Sequence, residues 1–141
     1  MSEQIGRRFT FLDRWIAPVV LLLWVLACSG GESTASSSPP PNPQSIQASK
    51  LVDDYRANEV RADQDYKGKW FEISGVVATI GKDILDTPYI TLGDGFESVQ
   101  ALFSKQDEAT LRSVNKGQSV RVTCQVDGKL MNVLARHCRL K

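Results

Sequence analysis

The chain has a single histidine in 141 residues, three cysteines and few aromatic side chains, which make up 8% of the sequence. One histidine, His137, is too few for the histidine clusters that hold many catalytic metals. The formal net charge of +1 excludes a polyelectrolyte, and a hydrophobic fraction of 42% argues against a chain disordered throughout. The length fits one domain of ordinary size. These shortages disfavour metal chemistry and leave a small folded domain as the starting hypothesis.

The sequence also has no long hydrophobic run, and the longest one covers only residues 15–27. A helix that crosses a bilayer needs about 20 apolar residues. The run follows a basic segment and is typical of the apolar core of a secretory signal, so residues 1–27 are predicted to direct export. An uncleaved membrane anchor is the alternative, although Asp13 and Arg14 interrupt the apolar segment upstream.

The apolar run ends in Val25-Leu26-Ala27-Cys28, which resembles the lipobox of bacterial lipoproteins. In that motif, cleavage precedes a cysteine whose thiol receives a diacylglycerol thioether. The resemblance implies that the mature chain starts at Cys28 and is held in a membrane by more than one acyl chain, which makes anchoring stable. The next residue, Ser29, is not aspartate, and in this the chain resembles lipoproteins that are sorted to the outer membrane. We therefore predict a location in the cell envelope, facing the periplasm if the source has two membranes.

The segment from Cys28 to Ser45 is predicted to be a disordered tether. Serine, glycine, proline and threonine dominate it, so it buries too little apolar surface to offset the entropy of ordering. The serine- and glycine-rich half is expected to be flexible, and Pro39-Pro40-Pro41 favours a stiffer polyproline conformation. The tether is predicted to join the anchor to one folded domain, residues 46–141.

Hydrophobic periodicity in the domain predicts a helix, three strands, a second helix and two further strands. The first helix begins near Ile46 with Ser45 as its N-cap, and a frayed end or short helical turn closes at Gly68. Gly75 is predicted to mark a bend in the first strand, because the apolar residues fall on odd positions before it and on even positions after it. The strand is therefore expected to contribute to two sheet faces. Asp127-Gly128 predicts a tight hairpin turn. The predicted strands are Trp70–Ile80, Tyr89–Leu92, Val99–Phe103, Val120–Val126 and Leu130–Leu140, and the second helix is Lys105–Asn115, capped by Ser104 and Asp107.

A bent first strand and a helix between strands three and four match the OB-fold, a five-stranded Greek-key barrel. The predicted fold class is therefore mostly β, and an open sheet backed by helices explains the bend less well. The residues from Tyr55 to Lys69, followed by Ile73-Ser74-Gly75-Val76-Val77, also resemble the tRNA_anti-like family of bacterial OB-fold proteins, as do Gly117–Val120 and Leu134–Leu140. That resemblance implies a barrel similar to anticodon-binding domains and a role with nucleic acid, and it supplies no catalytic residues.

If Cys28 carries lipid, Cys124 and Cys138 remain, and thiols outside the cytoplasm tend to pair. A disulfide between these two is predicted, with two free buried thiols as the alternative. A tight turn at Asp127-Gly128 would place Cys124 opposite Met131, so the pairing requires a bulge or packing across the barrel interior. A Cys/His metal site is not expected, because His137 and Cys138 are neighbours in a strand and point to opposite faces.

Charged and aromatic side chains provide a sparse set of candidates for ligand binding. OB-folds bind single strands on strands two and three and the flanking loops. Acidic and basic residues balance in the chain from Cys28 onward, whereas nucleic-acid binders usually carry a basic footprint, although bases predominate after Lys116. Trp70, Phe71 and Phe103 are expected in the core. The ligand-binding candidates are Lys82, Tyr89, Phe96, Arg121 and Lys129.

No catalytic residue, cofactor or metal site is predicted, because the sequence contains no nucleophile-base pair, Walker loop or zinc motif. We expect a non-enzymatic envelope lipoprotein, anchored by lipid, whose OB-fold domain binds an envelope protein or a glycan. The alternative is a single-stranded nucleic acid, and an enzyme ranks third. A contiguous basic groove beside Tyr89 would favour nucleic acid, and bases scattered among carboxylates would favour a protein or a glycan.

Overall fold

The computed structural model describes residues 38–141, so the predicted signal, the lipobox cysteine and most of the tether lie outside the described residues. No helix within residues 38–141 is long and apolar enough to cross a membrane. The elements in chain order are β1 (Gln44–Gln47), α1 (Ala48–Ala57), α2 (Glu59–Tyr66), β2 (Trp70–Lys82), β3 (Pro88–Leu92), β4 (Val99–Phe103), a 3₁₀-helix (Lys105–Asp107), α3 (Glu108–Leu111), β5 (Ser119–Lys129) and β6 (Val133–Leu140).

Strands β2 to β6 close into a barrel, and β1 is added to it along β2. The order is β1-β2-β3-β4-β6-β5, and β5 pairs back with β2. The β1–β2 and β4–β6 pairs are parallel, and the other pairs are antiparallel. A closed five-stranded barrel with a helical connection between β4 and β5 is the OB-fold, which confirms the predicted fold class. The buried side chains of the strands and helices form one continuous core.

Strand β2 is long enough to serve two parts of the barrel. Its first half pairs with β5 and its second half with β3, which confirms the predicted bend. The prediction that side chains change phase at Gly75 is wrong. Val77 stays on the core side with Ile73, and the register shifts only between Val77 and Thr79. The bulge therefore lies past the glycine, where β2 leaves β5 and joins β3.

Instead, the absence of a side chain at Gly75 allows α1 to approach the barrel closely. A Cβ atom on Gly75 would lie 3.1 Å from the Cβ atoms of Ala48 and Leu92. The glycine thus allows the start of α1 to pack directly on the sheet, and the apolar face of the helix enters the core. The buried residues of α1 are Ala48, Leu51, Val52 and Tyr55.

Strand β1 replaces the end of the predicted tether and the start of the predicted helix. Gln44–Gln47 pair in parallel with β2, with Ile46 opposite Ile73. Ser45 is therefore a strand residue rather than an N-cap, and its hydroxyl donates to a Glu72 carboxylate oxygen at 3.4 Å. The helix begins at Ala48. The reason is tertiary, because an unpaired sheet edge offers backbone partners to an extended segment beside it.

The helical connection between β4 and β5 is shorter than the predicted Lys105–Asn115. It consists of the 3₁₀-helix and the four-residue α3. The predicted cap is confirmed, because Asp107 Oδ2 accepts from the Ser104 hydroxyl at 2.6 Å and from the Ser104 N–H at 3.3 Å. The chain leaves helical geometry early because it must reach the barrel, where the Gly117 N–H donates to the Val77 carbonyl at 2.7 Å.

The β5–β6 hairpin turns later than predicted. Strand β5 continues through Asp127-Gly128 to Lys129, and the chain reverses over residues 130–132. The predicted turn is therefore wrong. Gly128 has a φ of 101° and lies in a bulge, where the register shifts between Val126 and Gly128. A dipeptide that is typical of tight turns is also suited to a bulge, since both require a positive φ.

A second register shift on the same hairpin, between Thr123 and Gln125, brings the two domain cysteines together. Cys124 and Cys138 form a disulfide with an S–S distance of 2.03 Å and a Cα–Cα distance of 4.2 Å. The predicted pairing is confirmed, and the expected placement of Cys124 opposite Met131 is wrong. Both sulfur-bearing residues are buried in the core.

Candidate functional site

A groove of about 500 Å³ lies beside the parallel strands β4 and β6, and we call it the β4–β6 groove. The end of β4, the β2–β3 loop (residues 83–87), part of β6 and the first residue of β2 surround it. Trp70 and Leu102 are half-buried and alternate with buried neighbours along their strands, so they belong to the outer face of the barrel. The lining residues are Trp70, Asp83, Leu85, Thr87, Leu102, Phe103, Ser104, Gln106, Asp107, Arg136, His137, Cys138 and Arg139.

A bulge in β6 positions His137 at this groove. Ala101 of β4 pairs with Ala135, and Phe103 pairs with Cys138, so β6 holds one extra residue between these points. His137 has a φ of 54°, in the left-handed region that residues other than glycine rarely adopt. Bulges bend a strand and redirect its side chains, and they are frequent next to functional sites. The β6 bulge turns the exposed imidazole toward the groove.

Trp70 forms the aromatic wall of the β4–β6 groove. Its ring centroid lies 6.4 Å from that of His137, with an interplanar angle of 39°. The prediction of a core position is correct for Phe71 and Phe103, which are buried, but not for the half-buried Trp70. Alternation is the reason, because Trp70 precedes Phe71 in β2 and points to the opposite face. The groove thus has an indole and an imidazole side by side.

Two arginines of β6 line the groove, and their surroundings differ. Arg136 Nε lies 2.6 Å from Asp127 Oδ2 and is therefore neutralised. Arg139 makes no ion pair with a carboxylate of residues 38–141. Of the carboxylates at the groove, Asp107 accepts from Ser104, as described above. Arg139 is therefore a cation of the groove without an ion-pair partner among the described residues, in a lining that also holds the carboxylates of Asp83 and Asp107.

The β2–β3 loop is held in shape by Asp83. Its Oδ1 accepts the N–H of Leu85 at 2.8 Å and the N–H of Thr87 at 2.9 Å. The Thr87 and Leu85 amides hold the pKa of Asp83 below its usual value, because hydrogen bonds to the charged form favour it. The loop thereby presents Ile84 fully exposed and Leu85 at 73% exposure. One wall of the groove is a fastened loop with an apolar tip.

Lys82, one of the predicted ligand-binding residues, is engaged in a network of ion pairs. Its Nζ lies 3.1 Å from Glu108 Oε2 and 3.1 Å from Asp86 Oδ1. These two carboxylates raise the pKa of Lys82, Glu108 having the larger effect. Lys105 also contacts Asp86, at 3.5 Å. The ammonium of Lys82 ties the β2–β3 loop to α3, which leaves less of its charge for a ligand.

A second concavity, of about 950 Å³, lies across β1, β2 and β5 on another part of the surface. Glu72 is central to it and contacts both Lys141 Nζ and, at 4.0 Å, Arg121 NH1. The Lys141 ammonium holds the pKa of Glu72 below its usual value. Arg121, a predicted ligand-binding residue, is therefore placed here. The residues that line this concavity include no aromatic side chain.

The other three predicted residues lie elsewhere. Tyr89 packs over Gly81, since a Cβ atom there would lie 3.1 Å from the tyrosine hydroxyl. Phe96 is fully exposed in the β3–β4 loop (residues 93–98). Lys129 Nζ lies 2.9 Å from Glu97 Oε1, with the lysine side chain only 13% exposed. The β3–β4 loop is thus joined to the end of β5 by an ion pair.

The five predicted ligand-binding residues do not gather into one site. Lys82 and Tyr89 are near neighbours where β2 passes to β3, Lys129 is joined to the loop that carries Phe96, and Arg121 lies at the second concavity. The groove residues Trp70, His137 and Arg139 were missed. The one available signal was the local sequence Arg136-His137-Cys138-Arg139, which concentrates polar groups beside a buried cysteine. No cluster of His, Cys, Asp or Glu within residues 38–141 could hold a metal ion.

The barrel, its added strand and the groove define a small OB-fold module with a candidate binding surface. The profile of the tRNA_anti-like family matches residues 10–139, and the chain belongs to that family. No curated protein matches the chain.

Solved structures that match the chain come from different organisms. A lipoprotein from Klebsiella pneumoniae subsp. pneumoniae, provisionally described as nucleic acid-binding, has a TM-score of 0.60 at 19% identity, covering 70% of this chain and 92% of that one. A provisionally assigned aspartyl-tRNA synthetase from Leishmania major has a TM-score of 0.49 at 17% identity, covering 74% of this chain and 22% of that one. At 19% identity, the likeness to the K. pneumoniae lipoprotein shows the fold alone.

Proposed function

We propose that the protein is a non-enzymatic lipoprotein of the cell envelope whose OB-fold domain is a binding module for an envelope protein or a glycan. The lipobox-like segment that ends at Cys28, and the serine- and proline-rich chain after it, support an anchored domain on a tether. The K. pneumoniae lipoprotein of similar fold supports a location in the envelope. In a bacterium with two membranes, the domain would face the periplasm from the outer membrane.

The pairing of surface cations with carboxylates is the observation that favours this function over nucleic-acid binding. Phosphate backbones are held by cations that release condensed counterions, so affinity depends on unpaired bases along a contiguous path. Of the six bases from Lys116 onward, where bases predominate in the sequence, four make ion pairs within the domain. The pairs are Arg121 and Lys141 with Glu72, Lys129 with Glu97, and Arg136 with Asp127.

Single-stranded nucleic acid is the second candidate, and one observation favours it. The β4–β6 groove combines Trp70 and His137 with Arg139, and such aromatic and cationic groups stack and hold bases in other OB-folds. The K. pneumoniae lipoprotein is provisionally described as nucleic acid-binding, which also supports this candidate.

A salt titration separates the two candidates. The lipidated protein in detergent is mixed with fluorescent oligothymidylate, and anisotropy is measured at increasing salt. We expect flat or very weak binding even at low salt, because few cations are unpaired. Tight binding whose logarithm falls steeply with the logarithm of salt concentration would favour nucleic acid. Crosslinking in intact cells is expected to yield adducts with envelope proteins or glycans, and adducts with nucleic acid alone would contradict the proposal.

The anchor is tested by Cys28→Ala. We expect this variant to lose its lipid and its association with membranes, because only a thiol can form the thioether. Fractionation and the intact mass of the protein measure both effects. Ser29→Ala, which keeps the cysteine, is the control and should stay lipidated. Unchanged mass and membrane association of the Cys28 variant would show that the segment is not a lipobox.

A further inference from the structure

We propose that the β4–β6 groove binds an acidic glycan, with a sugar ring against Trp70 and a carboxylate or other anionic group of the glycan on Arg139. This inference rests on the proposed function and specifies its site and ligand class. The groove volume, about 500 Å³, lies within the range of small-molecule sites and would hold a short stretch of a larger chain.

The aromatic wall suits a sugar ring. The indole of Trp70 offers a large flat apolar surface with one polar edge, and the C–H face of a pyranose is apolar in the same way. Leu102 adds apolar surface beside it, while Ser104 and Gln106 bring a hydroxyl and an amide to the rim. The Gln106 amide can pair with sugar hydroxyls in either direction, whereas the Ser104 hydroxyl, which already donates to Asp107, can accept from them.

One cation of the groove is available for a local contact with an anionic group of the ligand. Arg139 has no carboxylate partner among the described residues, whereas Arg136 beside it is paired with Asp127. The carboxylates of Asp83 and Asp107 stay charged and are held in place by hydrogen bonds from their own loops, so the anionic contact is confined to Arg139. A guanidinium binds a planar carboxylate through two parallel hydrogen bonds, which makes the contact both strong and specific in geometry.

The conformation of His137 points to a role for its side chain. The β6 bulge also serves the disulfide, because the extra residue aligns Cys138 with its partner. That purpose alone would be met best by glycine, which adopts the observed φ of 54° without strain. A histidine in this conformation carries a backbone cost, and its imidazole lies beside the Trp70 ring. Strained residues of this kind cluster at functional sites.

A glycan fits the groove better than a nucleic-acid strand does. Binding of a strand without sequence preference needs repeated phosphate contacts along a basic path and several stacking platforms. The groove provides one indole, one imidazole and one arginine without an ion pair, within the part of the chain that the structure describes. One ring contact and one anionic contact are enough for an acidic saccharide.

Trp70 itself reports on the groove. The sequence contains three tryptophans, at positions 15, 24 and 70. In the full chain with Trp15→Phe and Trp24→Phe, Trp70 is the sole indole whether or not the signal segment is removed. The lipidated protein in detergent is titrated with oligogalacturonate, with a maltodextrin of matched length as the neutral probe, and with oligothymidylate. We expect a saturable change in Trp70 fluorescence with oligogalacturonate and little change with maltodextrin.

Matched variants identify the contacts. Arg139→Gln is expected to weaken oligogalacturonate binding about tenfold or more, since it removes a charge-assisted contact. Arg61→Gln removes the same charge from an exposed position on α2 outside the groove and should leave the affinity unchanged. His137→Gly should weaken binding while the melting temperature is kept or raised, because glycine accepts the bulge conformation. A fall in melting temperature together with affinity would indicate a structural role only and would count against His137 as a ligand contact.

The remaining outcomes overturn the inference in different ways. Equal responses to maltodextrin and oligogalacturonate would exclude selection for an anion. An unaltered affinity of Arg139→Gln would remove the proposed contact. Tighter binding of oligothymidylate with a steep salt dependence would assign the groove to nucleic acid. No response to any probe, together with cellular crosslinks to an envelope protein, would refute the glycan site and leave the proposed function standing, whereas crosslinks to nucleic acid alone would refute both.

Discussion

Opening the Cys124–Cys138 disulfide is expected to lower the free energy of unfolding by about 3 kcal/mol. The bond joins residues with a sequence separation of 14. It restricts the unfolded chain more than the folded one, and the loop-closure entropy for a loop of about 15 residues corresponds to that value near room temperature. Both cysteines are buried, so any cost of separating the two sulfurs into thiols within the core adds to this value.

Urea unfolding of oxidised and reduced protein measures this effect directly. Trp70 fluorescence follows the transition in the chain with Trp15→Phe and Trp24→Phe. With a urea dependence of about 1–3 kcal/mol per molar, the midpoint should fall by about 1–3 M on reduction. The double variant Cys124→Ala/Cys138→Ala should lose more, because it also removes two buried sulfur atoms from the core.

Cys28→Ala is the matched control for the disulfide, and its unfolding midpoint should stay at that of the oxidised parent. A loss below about 1 kcal/mol on reduction would refute the reasoning, since it would mean that the unfolded β5–β6 segment is already restricted without the bond.

Two further predictions concern packing and pH. Gly75→Ala should lower the free energy of unfolding by about 1–3 kcal/mol, because its Cβ would lie 3.1 Å from side-chain carbons of α1 and β3 that have little room to move; an unchanged melting temperature would show that α1 can shift. The ammonium of Lys129 and then the guanidinium of Arg56 hold the pKa of Glu97 below its usual value. A carboxyl whose pKa is lower in the folded state than in the unfolded state stabilises the fold at pH values above its unfolded-state pKa. This contribution is lost as the pH falls through its folded-state pKa. Glu97→Gln should therefore be less stable than the parent near neutral pH, and the difference should shrink from about pH 6 to about pH 3. An unfolding free energy that differs from the parent by the same amount at every pH would contradict this prediction.

The order of strands and helices was predictable because it depends on neighbouring residues. Alternating apolar side chains in Val120–Val126 indicated a strand that is half-buried, and the Ser104–Asp107 cap marked the helical connection after β4. Strand β1 escaped prediction, since its pairing partner is β2 and only one of its four residues, Ile46, is apolar. The hairpin register also escaped, because Gly128 can serve either a turn or a bulge, and only the partner strand decides between them.

The sequence by itself determined the class of fold and the family, because these depend on residue types and on their spacing along the chain. It favoured a pairing of the two domain cysteines, and the register shift between Thr123 and Gln125 decided it. The tertiary structure decided which cations remain without a partner and which side chains meet at the groove. Trp70 and His137 are far apart in sequence and become neighbours only when β5 pairs with β2 and with β6. Electrostatic and ring contacts depend on distance through space, and closure of the barrel sets that distance.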